Sequence, residues 1–293
     1  MKHVNLPRVD SAHKRCLRNH AIGWTIDRMA TSCRPLIVAY HAVSSSWRSP
    51  LAITESALRS QLGYLHRSGY VGLTFADAER RTRDGTLPRR SVVVTFDDGY
   101  ASNLLAAPIL AEFGYPGTVF VVTGFTDSGA ALSWYGIEDE QNSAAAELRP
   151  LTWGELADLR DDGWEVGSHT VTHPLLPGLS GQELREQLER SRASIADHLG
   201  GCETLAYPYG VADARVADAA RAAGYLAACV LTGAHFTDEP FRRPRVGLGA
   251  ADTGGRLRLK VSGVGLGFRR SPVALAIRRA RRRRSWQPQT PGR

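Results

Sequence analysis

The amino-acid sequence predicts an α/β domain whose parallel strands form one sheet, either open or closed into a barrel. From residue 36 onward, short apolar runs rich in β-branched residues alternate with amphipathic helical patterns. Several of these runs are almost entirely apolar, as expected for strands that are covered on both faces. A repeated strand–helix order joins strands in parallel, so we expect the chemistry at their carboxyl ends.

Six apolar runs are predicted as strands, and helical patterns lie between them. The predicted strands are LIVAY (36–40), SVVVTF (91–96), GTVFVVT (117–123), WEVGSH (164–169), TLAYP (204–208) and YLAACVL (225–231). The predicted helices lie near 55–68, 101–113, 153–162, 181–199 and 213–223.

The ends of the predicted helices carry recognisable signals. Thr152 with Glu155, and Ser180 with Glu183, form the Ser/Thr-x-x-Glu pattern of a capping box, which marks a helix start. Glycine after a helical pattern predicts a left-handed residue where the helix ends. The glycines in such positions are Gly69, Gly114, Gly163, Gly200 and Gly224.

The charges of the chain are segregated into three parts. Residues 253–293 carry +12 and residues 1–35 carry +5, so the net charge of +8 leaves −9 for residues 36–252. We therefore predict a basic N-terminal extension (1–35), a central domain (36–252) and a basic C-terminal tail (253–293). The positive net charge of the chain therefore comes from its two ends, whereas the central domain is acidic.

The composition argues against several classes of protein. A hydrophobic fraction of 43% with 23% charged residues is ordinary for a globular domain. No run approaches about twenty apolar residues, and no apolar run with a cleavage site follows the basic N-terminus. Neither a transmembrane helix nor a cleaved signal peptide is therefore expected, and the cytoplasm is the expected compartment. The four cysteines form no CxxC pair, which argues against a zinc knuckle or a disulfide scaffold.

The first chemical motif is the pair of carboxylates after the predicted strand 91–96. The strand leads directly into Asp97, Asp98 and Gly99. Two like charges at one strand end repel each other, so a cation is expected to compensate them. Adjacent side chains leaving a strand point in different directions, which lets one Asp bind a metal while the other faces substrate. An ordinary Asp-Gly turn is the alternative interpretation.

The second motif is a pair of histidines at the end of the predicted strand 164–169. His169 ends the strand, and His173 follows four residues later. This spacing predicts that both imidazoles lie on one side of a helical turn, where they can share one cation. Two histidines and one carboxylate leave coordination positions open for water and substrate. Two structural histidines are the alternative.

The third motif, Tyr207-Pro208-Tyr209-Gly210, follows the strand predicted before it. Proline and glycine on either side of Tyr209 predict a turn that presents the Tyr209 N–H to a ligand. Such a donor stabilises an oxyanion. An ordinary turn at the end of a strand explains the same residues.

The segment 124–150 is too long for a simple connection between a strand and a helix. We interpret it as an active-site loop, in which Trp134 and Tyr135 are available to stack on a sugar. A surface insertion whose two aromatic side chains pack locally is the alternative interpretation.

Taken in this order, the three motifs resemble those of the polysaccharide deacetylase family, also called carbohydrate esterase family four. TFDDG (95–99) is similar to the first family motif, HTVTH (169–173) to the second and YPYG (207–210) to the third. The resemblance covers roughly residues 36–248. It implies a distorted, incomplete (β/α) barrel and makes residues 36–252 a catalytic domain.

Two further segments resemble one branch of that family. YHAV (40–43) and FRRPRV (241–246) are similar to segments of exopolysaccharide deacetylases that act on poly-N-acetylglucosamine. The resemblance implies metal-dependent hydrolysis of the acetamide of an N-acetylated sugar in a polysaccharide, an oligosaccharide or a glycolipid, with release of acetate.

The resemblance also implies a role for each matching residue. Asp98, His169 and His173 correspond to the ligands of a divalent metal, with Zn²⁺ the expected ion. Asp97 corresponds to the general base, and the Tyr209 N–H to part of the oxyanion hole. Four residues are the predicted contacts to substrate and oxyanion: Tyr209, Pro208, Arg245 and Trp134.

The chain departs from the family pattern at two positions. Many members have Arg where Ala206 stands, and that Arg contacts the catalytic Asp; Arg245, or alternatively Arg243, is expected to supply the charge from the last strand. Many members also have a late Leu-x-His motif that provides the general acid, but no histidine follows His235 here. His41, after the first strand, is the candidate replacement acid, and a structural histidine is the alternative.

The C-terminal tail predicts a second kind of contact. Residues 256–284 mix apolar and basic side chains without any acid. This mixture favours peripheral contact with an anionic membrane, which would locate the protein at the inner face of that membrane. A solvated tail is the alternative, and nucleic-acid binding fits the charge but lacks a motif.

Two competing functions use the same motifs. The ligand set would also serve a metal amidohydrolase that acts on a non-sugar amide. A non-catalytic glycan-binding module on the same fold is the other candidate, since the late histidine and the Arg at Ala206 are missing.

Overall fold

The structure is a computed structural model that describes residues 34–137, 145–231 and 239–262. The predicted N-terminal extension, apart from its last two residues, and the tail beyond residue 262 lie outside these ranges. The division of the chain at residues 35 and 253 therefore stays a prediction.

Within the described residues, ten strands and eight α-helices follow one another along the chain. The strands are β1 (Leu36–Tyr40), β2 (Ala42–Val43), β3 (Ala52–Ile53), β4 (Val71–Leu73), β5 (Ser91–Phe96), β6 (Gly117–Val121), β7 (Glu165–Ser168), β8 (Thr204–Ala206), β9 (Ala227–Leu231) and β10 (Arg243–Gly247). The helices are α1 (Glu55–Arg67), α2 (Phe75–Arg83), α3 (Ala106–Ala111), α4 (Thr123–Ser128), α5 (Trp153–Asp161), α6 (Gly181–Leu199), α7 (Ala214–Ala222) and α8 (Gly254–Val261).

Seven parallel strands close into a barrel. They pair in the order β1-β10-β9-β8-β7-β6-β5, and β1 then pairs with β5 along its whole length. The other edge of β5 is shared, because β4 pairs with its first half and β6 with its second half. The predicted α/β class is confirmed in its closed form, and the seven-strand ring with β4 inserted at one edge is the expected distorted, incomplete (β/α) barrel.

The alternation of side chains along the strands explains why their sequences are almost wholly apolar. Val38 and Tyr40 of β1 belong to the large cluster that also contains helix residues, whereas Ile37 packs with Val93 and Phe120 in a smaller cluster. Successive residues of a barrel strand face the helices and the barrel interior in turn. Both faces of each strand are therefore buried.

Helix α2 and strand β4 were not predicted from the sequence. The three residues of β4 include a glycine, and α2 is rich in Asp, Glu and Arg, so neither gave an apolar pattern. The helix owes its position to tertiary contacts at the amino end of the barrel. The Phe75 ring packs edge-on against Phe120 at 6.3 Å, and the Ala76 N–H donates to the Glu165 carboxylate at 2.8 Å.

Four of the five predicted helices have the predicted bounds to within one residue, whereas in the predicted helix 101–113 residues Ala101–Leu105 form a 3-10 helix and α3 covers only Ala106–Ala111. Both capping boxes form, at Thr152 with Glu155 and at Ser180 with Glu183. Gly200 ends α6 in the left-handed conformation, with a φ of 84° that glycine adopts without steric cost. The predicted strand 117–123 is two residues too long, because α4 begins at Thr123.

Helix α8 extends the folded unit beyond residue 252. Its Leu257 and Val261 side chains are buried in the large core cluster, and Lys260 donates to Asp252 at 2.6 Å. The helix leaves Leu259 60% exposed. In the part of the chain that the structure describes, no helix has the length and apolar character needed to span a membrane.

Candidate active site and metal centre

The predicted site residues gather at the carboxyl ends of the barrel strands. These ends form the side of a (β/α) barrel on which active sites lie. The structure brings six of them together around one cleft of about 250 Å³: His41, Asp97, Asp98, Trp134, His169 and His173, with Tyr209 on its rim.

Asp98, His169 and His173 form a buried cluster. The Asp98 Oδ1 atom lies 3.3 Å from His169 Nε2 and 3.5 Å from His173 Nε2. The three candidate ligand atoms all lie within 4.8 Å of one another. Asp98 Oδ1 is buried and has no hydrogen-bond partner among the described residues. A buried carboxylate oxygen that faces two imidazole nitrogens fits a cation, which would satisfy all three at once.

The orientation of His169 supports the same conclusion. Its Nδ1 lies 2.7 Å from the Ala206 carbonyl oxygen, which can only accept a hydrogen bond. Nδ1 therefore carries a proton, which leaves Nε2, the ring nitrogen that faces Asp98, as the atom that can bind a cation. Metal-binding histidines are oriented by this kind of hydrogen bond.

Burial and charge act against each other in this cluster. Burial alone would raise the pKa of Asp98, but the neighbouring imidazoles of His169, His41 and His173 hold it below its usual value. Burial lowers the pKa of His173 to about 4, so this imidazole is neutral near pH 7. For His169, burial acts to lower the pKa, but Asp98 and Asp97 outweigh it and raise the pKa. The cluster therefore attracts positive charge, and a bound cation would compete with a proton for His169.

The prediction that His169 and His173 share a helical turn is wrong. The residues after β7 form an irregular loop, in which Thr170 has a φ of 72° and His173 a φ of 58°. Positive φ is rare outside glycine, and for a β-branched residue such as threonine it is a strained conformation. The two rings converge because the backbone of this loop reverses sharply, and not because they lie one turn apart on a helix.

Asp97 forms a buried ion pair with Arg245. The two guanidinium Nη atoms donate to the two carboxylate oxygens at 2.5 and 2.7 Å, and Nη1 also donates to Thr95 Oγ1 at 3.1 Å. Burial alone would raise the pKa of Asp97, but Arg245 outweighs this effect and holds the pKa well below its usual range. Asp97 is therefore ionised at neutral pH. Of the two arginines considered, Arg243 pairs instead with Glu79 at 2.7 Å.

Two of the predicted substrate contacts do not reach the cleft. The Arg245 side chain is fully buried, and its Nη atoms are used by Asp97 and Thr95. Pro208 is buried beneath the turn and does not line the cleft. Arg245 acts on Asp97, and Pro208 shapes the turn that carries Tyr209. Because both side chains are buried, neither is placed to contact substrate, and the prediction that they do so is corrected.

Replacing Arg245 with methionine is expected to lower the free energy of unfolding by about 3–5 kcal/mol, because Asp97 would keep a buried charge without its partner. Arg59→Met is the matched control, since Arg59 pairs with Glu112 on the surface, where ion pairs stabilise little. Urea unfolding followed by circular dichroism measures both variants. Equal losses of stability in the two would contradict a special role for the buried pair.

His41 lines the same cleft as Asp97 and the three cluster residues. Its Nε2 is 4.0 Å from Asp97 Oδ2, and 23% of its side chain is exposed. Asn103, which sequence reasoning missed, is buried and donates from Nδ2 to the His41 carbonyl oxygen at 2.6 Å. The only sequence signal was its position six residues after Asp97, within the predicted helix 101–113.

The aromatic residues of the cleft have different environments. The Trp134 ring packs against the His173 ring at 4.3 Å and against Phe125 at 5.7 Å, so it forms a wall of the cluster. Tyr135 is 82% exposed at the rim. The Tyr209 hydroxyl donates to the Tyr135 carbonyl oxygen at 3.1 Å, and the Tyr209 ring contacts His173 edge-on at 4.7 Å. Tyr209 thereby joins the segment that carries Tyr135 to the turn after β8.

Comparison with known proteins identifies one family. A family model described as polysaccharide deacetylase matches residues 84–228. YxkH of Bacillus subtilis (strain 168), whose name also carries the term polysaccharide deacetylase, is 26% identical over 193 residues, which cover 64% of this chain and 61% of YxkH. The poly-beta-1,6-N-acetyl-D-glucosamine N-deacetylase of Staphylococcus aureus (strain N315) is 27% identical over 186 residues, which cover 59% of this chain and 58% of that protein. The chain thus spans about three fifths of the length of these two relatives.

Solved structures share the fold. The deacetylase PplD of Streptococcus pyogenes, in complex with acetate, superposes with a TM-score of 0.67 at 21% identity and covers 78% of this chain and 98% of its own. IcaB from Ammonifex degensii superposes with a TM-score of 0.62 at 26% identity and covers 75% of this chain and 93% of its own. Both support the assignment of a deacetylase-type barrel.

Proposed function

We propose that this chain, whose residues 84–228 match the polysaccharide deacetylase family model, hydrolyses the acetamide of N-acetylated sugars in a metal-dependent reaction that releases acetate. The observation that carries the proposal is the buried Asp98 Oδ1, which faces the Nε2 atoms of His169 and His173 beside the ionised Asp97. Relatives named as poly-beta-1,6-N-acetyl-D-glucosamine N-deacetylases support a poly-N-acetylglucosamine-like substrate.

Asp98, His169 and His173 would hold the divalent cation, for which Zn²⁺ fits two imidazoles and one carboxylate. When bound, such a cation supplies Lewis-acid chemistry that makes water more acidic and polarises a carbonyl group. The cluster is buried, so charge interactions within it are weakly screened. The remaining steps fall to the residues that surround it.

Asp97 acts as the general base. It is ionised, and it accepts a proton from the water whose oxygen forms the new bond to the acetyl carbon. The Arg245 ion pair keeps Asp97 in its anionic form and fixes its orientation toward the cleft. Arg245 is thus a positioning residue for the base.

Tyr209 and His41 complete the reaction. The Tyr209 backbone N–H is the proposed donor to the tetrahedral oxyanion, since Tyr209 lies at the rim beside His173. When the carbon–nitrogen bond breaks, His41 gives a proton to the departing amine. Its partly exposed ring at the cleft mouth, 4.0 Å from Asp97, is placed for this transfer. The products are acetate and the free amino sugar.

The experiment that tests the proposed function measures acetate release by the purified chain, loaded with Zn²⁺, from β-1,6-linked N-acetylglucosamine oligomers. The panel includes N-formyl and N-acyl amides that contain no sugar. We expect release from the oligomers and none from the other amides. Turnover of a non-sugar amide alone would indicate a different amidohydrolase, and glycan binding without acetate release would indicate a non-catalytic module.

The size of the cleft bears on how much of a glycan it contacts. At about 250 Å³ its volume lies just below the range of small-molecule sites, which is about 300–1,000 Å³. We propose that it encloses one sugar and that neighbouring sugars lie along the rim. Tyr135, which is 82% exposed there, is the candidate stacking residue.

Replacing Tyr135 with alanine is therefore expected to lower kcat/KM for an N-acetylglucosamine tetramer by about 3–10-fold, from an aromatic stacking energy of about 0.5–1.5 kcal/mol. The monosaccharide should lose nothing, because it does not reach the rim. Tyr135→Phe is the control that keeps the ring. The proposal fails if the alanine variant loses the same factor on both substrates, or if the tetramer is unaffected.

We also propose that the C-terminal tail makes peripheral contact with anionic membranes. Residues 253–293 carry twelve basic residues and no acid, and each basic residue near an anionic surface contributes about 1 kcal/mol. Exposed Leu259 of α8 adds apolar surface next to Arg256 and Arg258.

The full chain is expected to co-sediment with phosphatidylserine liposomes, and a chain ending at Ser262 is expected to lose most of this binding. The truncation keeps α8, because its Leu257 and Val261 belong to the core. Phosphatidylcholine liposomes are the control for charge. Equal binding of both chains to phosphatidylserine would show that the tail is not responsible.

A further inference from the structure

We propose that Gln187 is a positioning residue for the metal site, and that it holds the loop between His169 and His173 in the conformation that binds the cation. This inference rests on the metal site of the proposed function. Gln187 is no ligand and does not line the cleft; it lies on helix α6, behind the loop.

The loop needs external support because its backbone is strained. Thr170 has a φ of 72° and His173 a φ of 58°, although neither is glycine. Residues in such conformations persist only where the surrounding structure over-determines them. The strained backbone reverses direction between His169 and His173, and this reversal brings Nε2 of both histidines to the same Asp98 oxygen.

Gln187 supplies three hydrogen bonds to the loop. Its Oε1 accepts from the backbone N–H groups of Val171 and Thr172, each at 3.0 Å, and its Nε2 donates to Thr172 Oγ1 at 3.0 Å. One amide side chain therefore binds both residues that lie between Thr170 and His173. Val171 and Thr172 belong to no helix or strand, so no regular backbone hydrogen bond is available to their N–H groups.

The other N–H groups of the loop donate to acceptors on β6, on β7 and in the loop itself. They donate in three bonds: His169 N to the Val121 carbonyl, Thr170 N to Ser168 Oγ and His173 N to Thr170 Oγ1. Every backbone N–H from 169 to 173 is thus accounted for. Gln187 carries two of the five, and it is the only one of these partners that a helix provides.

Helix α6 is a firm support for this contact. It has 19 residues, and a capping box fixes its start. Ser191, one turn after Gln187, lies on the same helix face and hydrogen-bonds to Ser168 Oγ at 2.8 Å. Two side chains of one face therefore contact the loop and the strand end from which it starts.

Without the Gln187 amide, the two N–H groups lose their acceptor and the strained residues lose part of their support. The Thr123 and Gly124 N–H groups still donate to the Thr170 and Val171 carbonyl oxygens, so we expect the loop to relax only partly toward ordinary φ values and to move the two imidazole nitrogens apart. Loss of a partner that orients a metal ligand weakens metal binding by about 10–100-fold. The geometry therefore points to a weaker metal site with its three ligands still present.

The test compares variants of the full chain at one pH. Zn²⁺ affinity is measured by competition with a chromophoric chelator, and Co²⁺ absorption in the visible range reports ligand geometry. Gln187→Leu, which keeps the volume but not the acceptor, is expected to bind Zn²⁺ about 10–100-fold more weakly and to change the Co²⁺ spectrum. Gln187→Glu, which keeps the acceptor, is expected to restore both. Gln182→Leu makes the same change on an exposed part of α6 and should resemble the wild type.

A folded Gln187→Leu variant with wild-type Zn²⁺ affinity and Co²⁺ spectrum overturns the proposal. If that variant does not fold, Gln187→Asn, which is one methylene shorter, is measured instead, and wild-type affinity in it has the same meaning. If the wild-type chain binds one Zn²⁺ and every variant binds Zn²⁺ with the same affinity, this inference is wrong but the metal site stands. A wild-type chain that binds no metal defeats the metal site and this inference together.

Discussion

Replacing Asp97 with asparagine is expected to lower kcat by about 10²–10⁴-fold, the contribution of a general base, while one metal ion stays bound per chain. Asparagine has the shape of the aspartate but cannot accept the proton of the attacking water. Asp97 is not part of the Asp98, His169 and His173 cluster, so metal content should not change. Acetate release and metal analysis on the same sample check both halves of the prediction.

Asp218→Asn, on the surface of α7, is the matched control and should keep full activity. If Asp97→Asn keeps the wild-type rate with metal bound, Asp97 is not the base. If the variant loses its metal, the separation of roles between Asp97 and Asp98 is wrong. Because the variant also leaves Arg245 without its charged partner, thermal unfolding is recorded to exclude a loss of folded protein.

The second large effect is expected at the metal cluster. Asp98→Asn and His169→Ala should each lose bound metal and lower kcat/KM by more than about 10³-fold, because removing a ligand removes both the cation and its charge stabilisation. The loss should exceed that for an oxyanion donor, which is worth about 10²–10³-fold. Activity titrated with added Zn²⁺, together with metal content after dialysis, checks the prediction.

His198→Ala is the control for a histidine that lies outside the cleft, stacked on Trp153 at the surface. It should retain both metal and activity. Full activity of metal-free wild-type protein, or of Asp98→Asn protein, would contradict a metal-dependent reaction.

The sequence predicted a parallel α/β sheet because its strands are buried on both faces and therefore form apolar runs. These runs left an open sheet and a barrel both possible, and the barrel was implied by the resemblance to polysaccharide deacetylases. The sequence predicted the site because Asp97, Asp98 and His169 directly follow strands, and parallel strands bring their carboxyl ends to one side. These features depend only on residues that are close together in the sequence, so they can be recognised without the structure. The capping boxes of α5 and α6 belong to the same class.

The sequence left open whether Arg245 or Arg243 pairs with Asp97, and tertiary contacts decide between them. Arg243 and Arg245 are two residues apart on β10, so the alternation of a strand assigns them to the same face. Only the depth in the barrel separates them: Arg245 reaches Asp97 near the carboxyl end, while Arg243 meets Glu79 of α2. No pattern in the sequence indicates that depth.

The loop after β7 shows the same limit. The i, i+4 spacing of His169 and His173 is typical of a helix, but the hydrogen bonds that fix the loop come from Ser168, Thr170 and Gln187. Gln187 is 14 residues beyond His173 in sequence, and nothing at that distance marks it. Spacing predicted which residues meet, but not the backbone that joins them.

The central claim is that one cation is held jointly by Asp98, His169 and His173. Anomalous X-ray diffraction at the zinc edge, from crystals of the Zn²⁺-loaded chain, tests it most directly. The account predicts a single strong peak in contact with one carboxylate oxygen of Asp98 and with Nε2 of both histidines. A peak at another group of residues, or zinc-loaded crystals without a peak between these three, would contradict it.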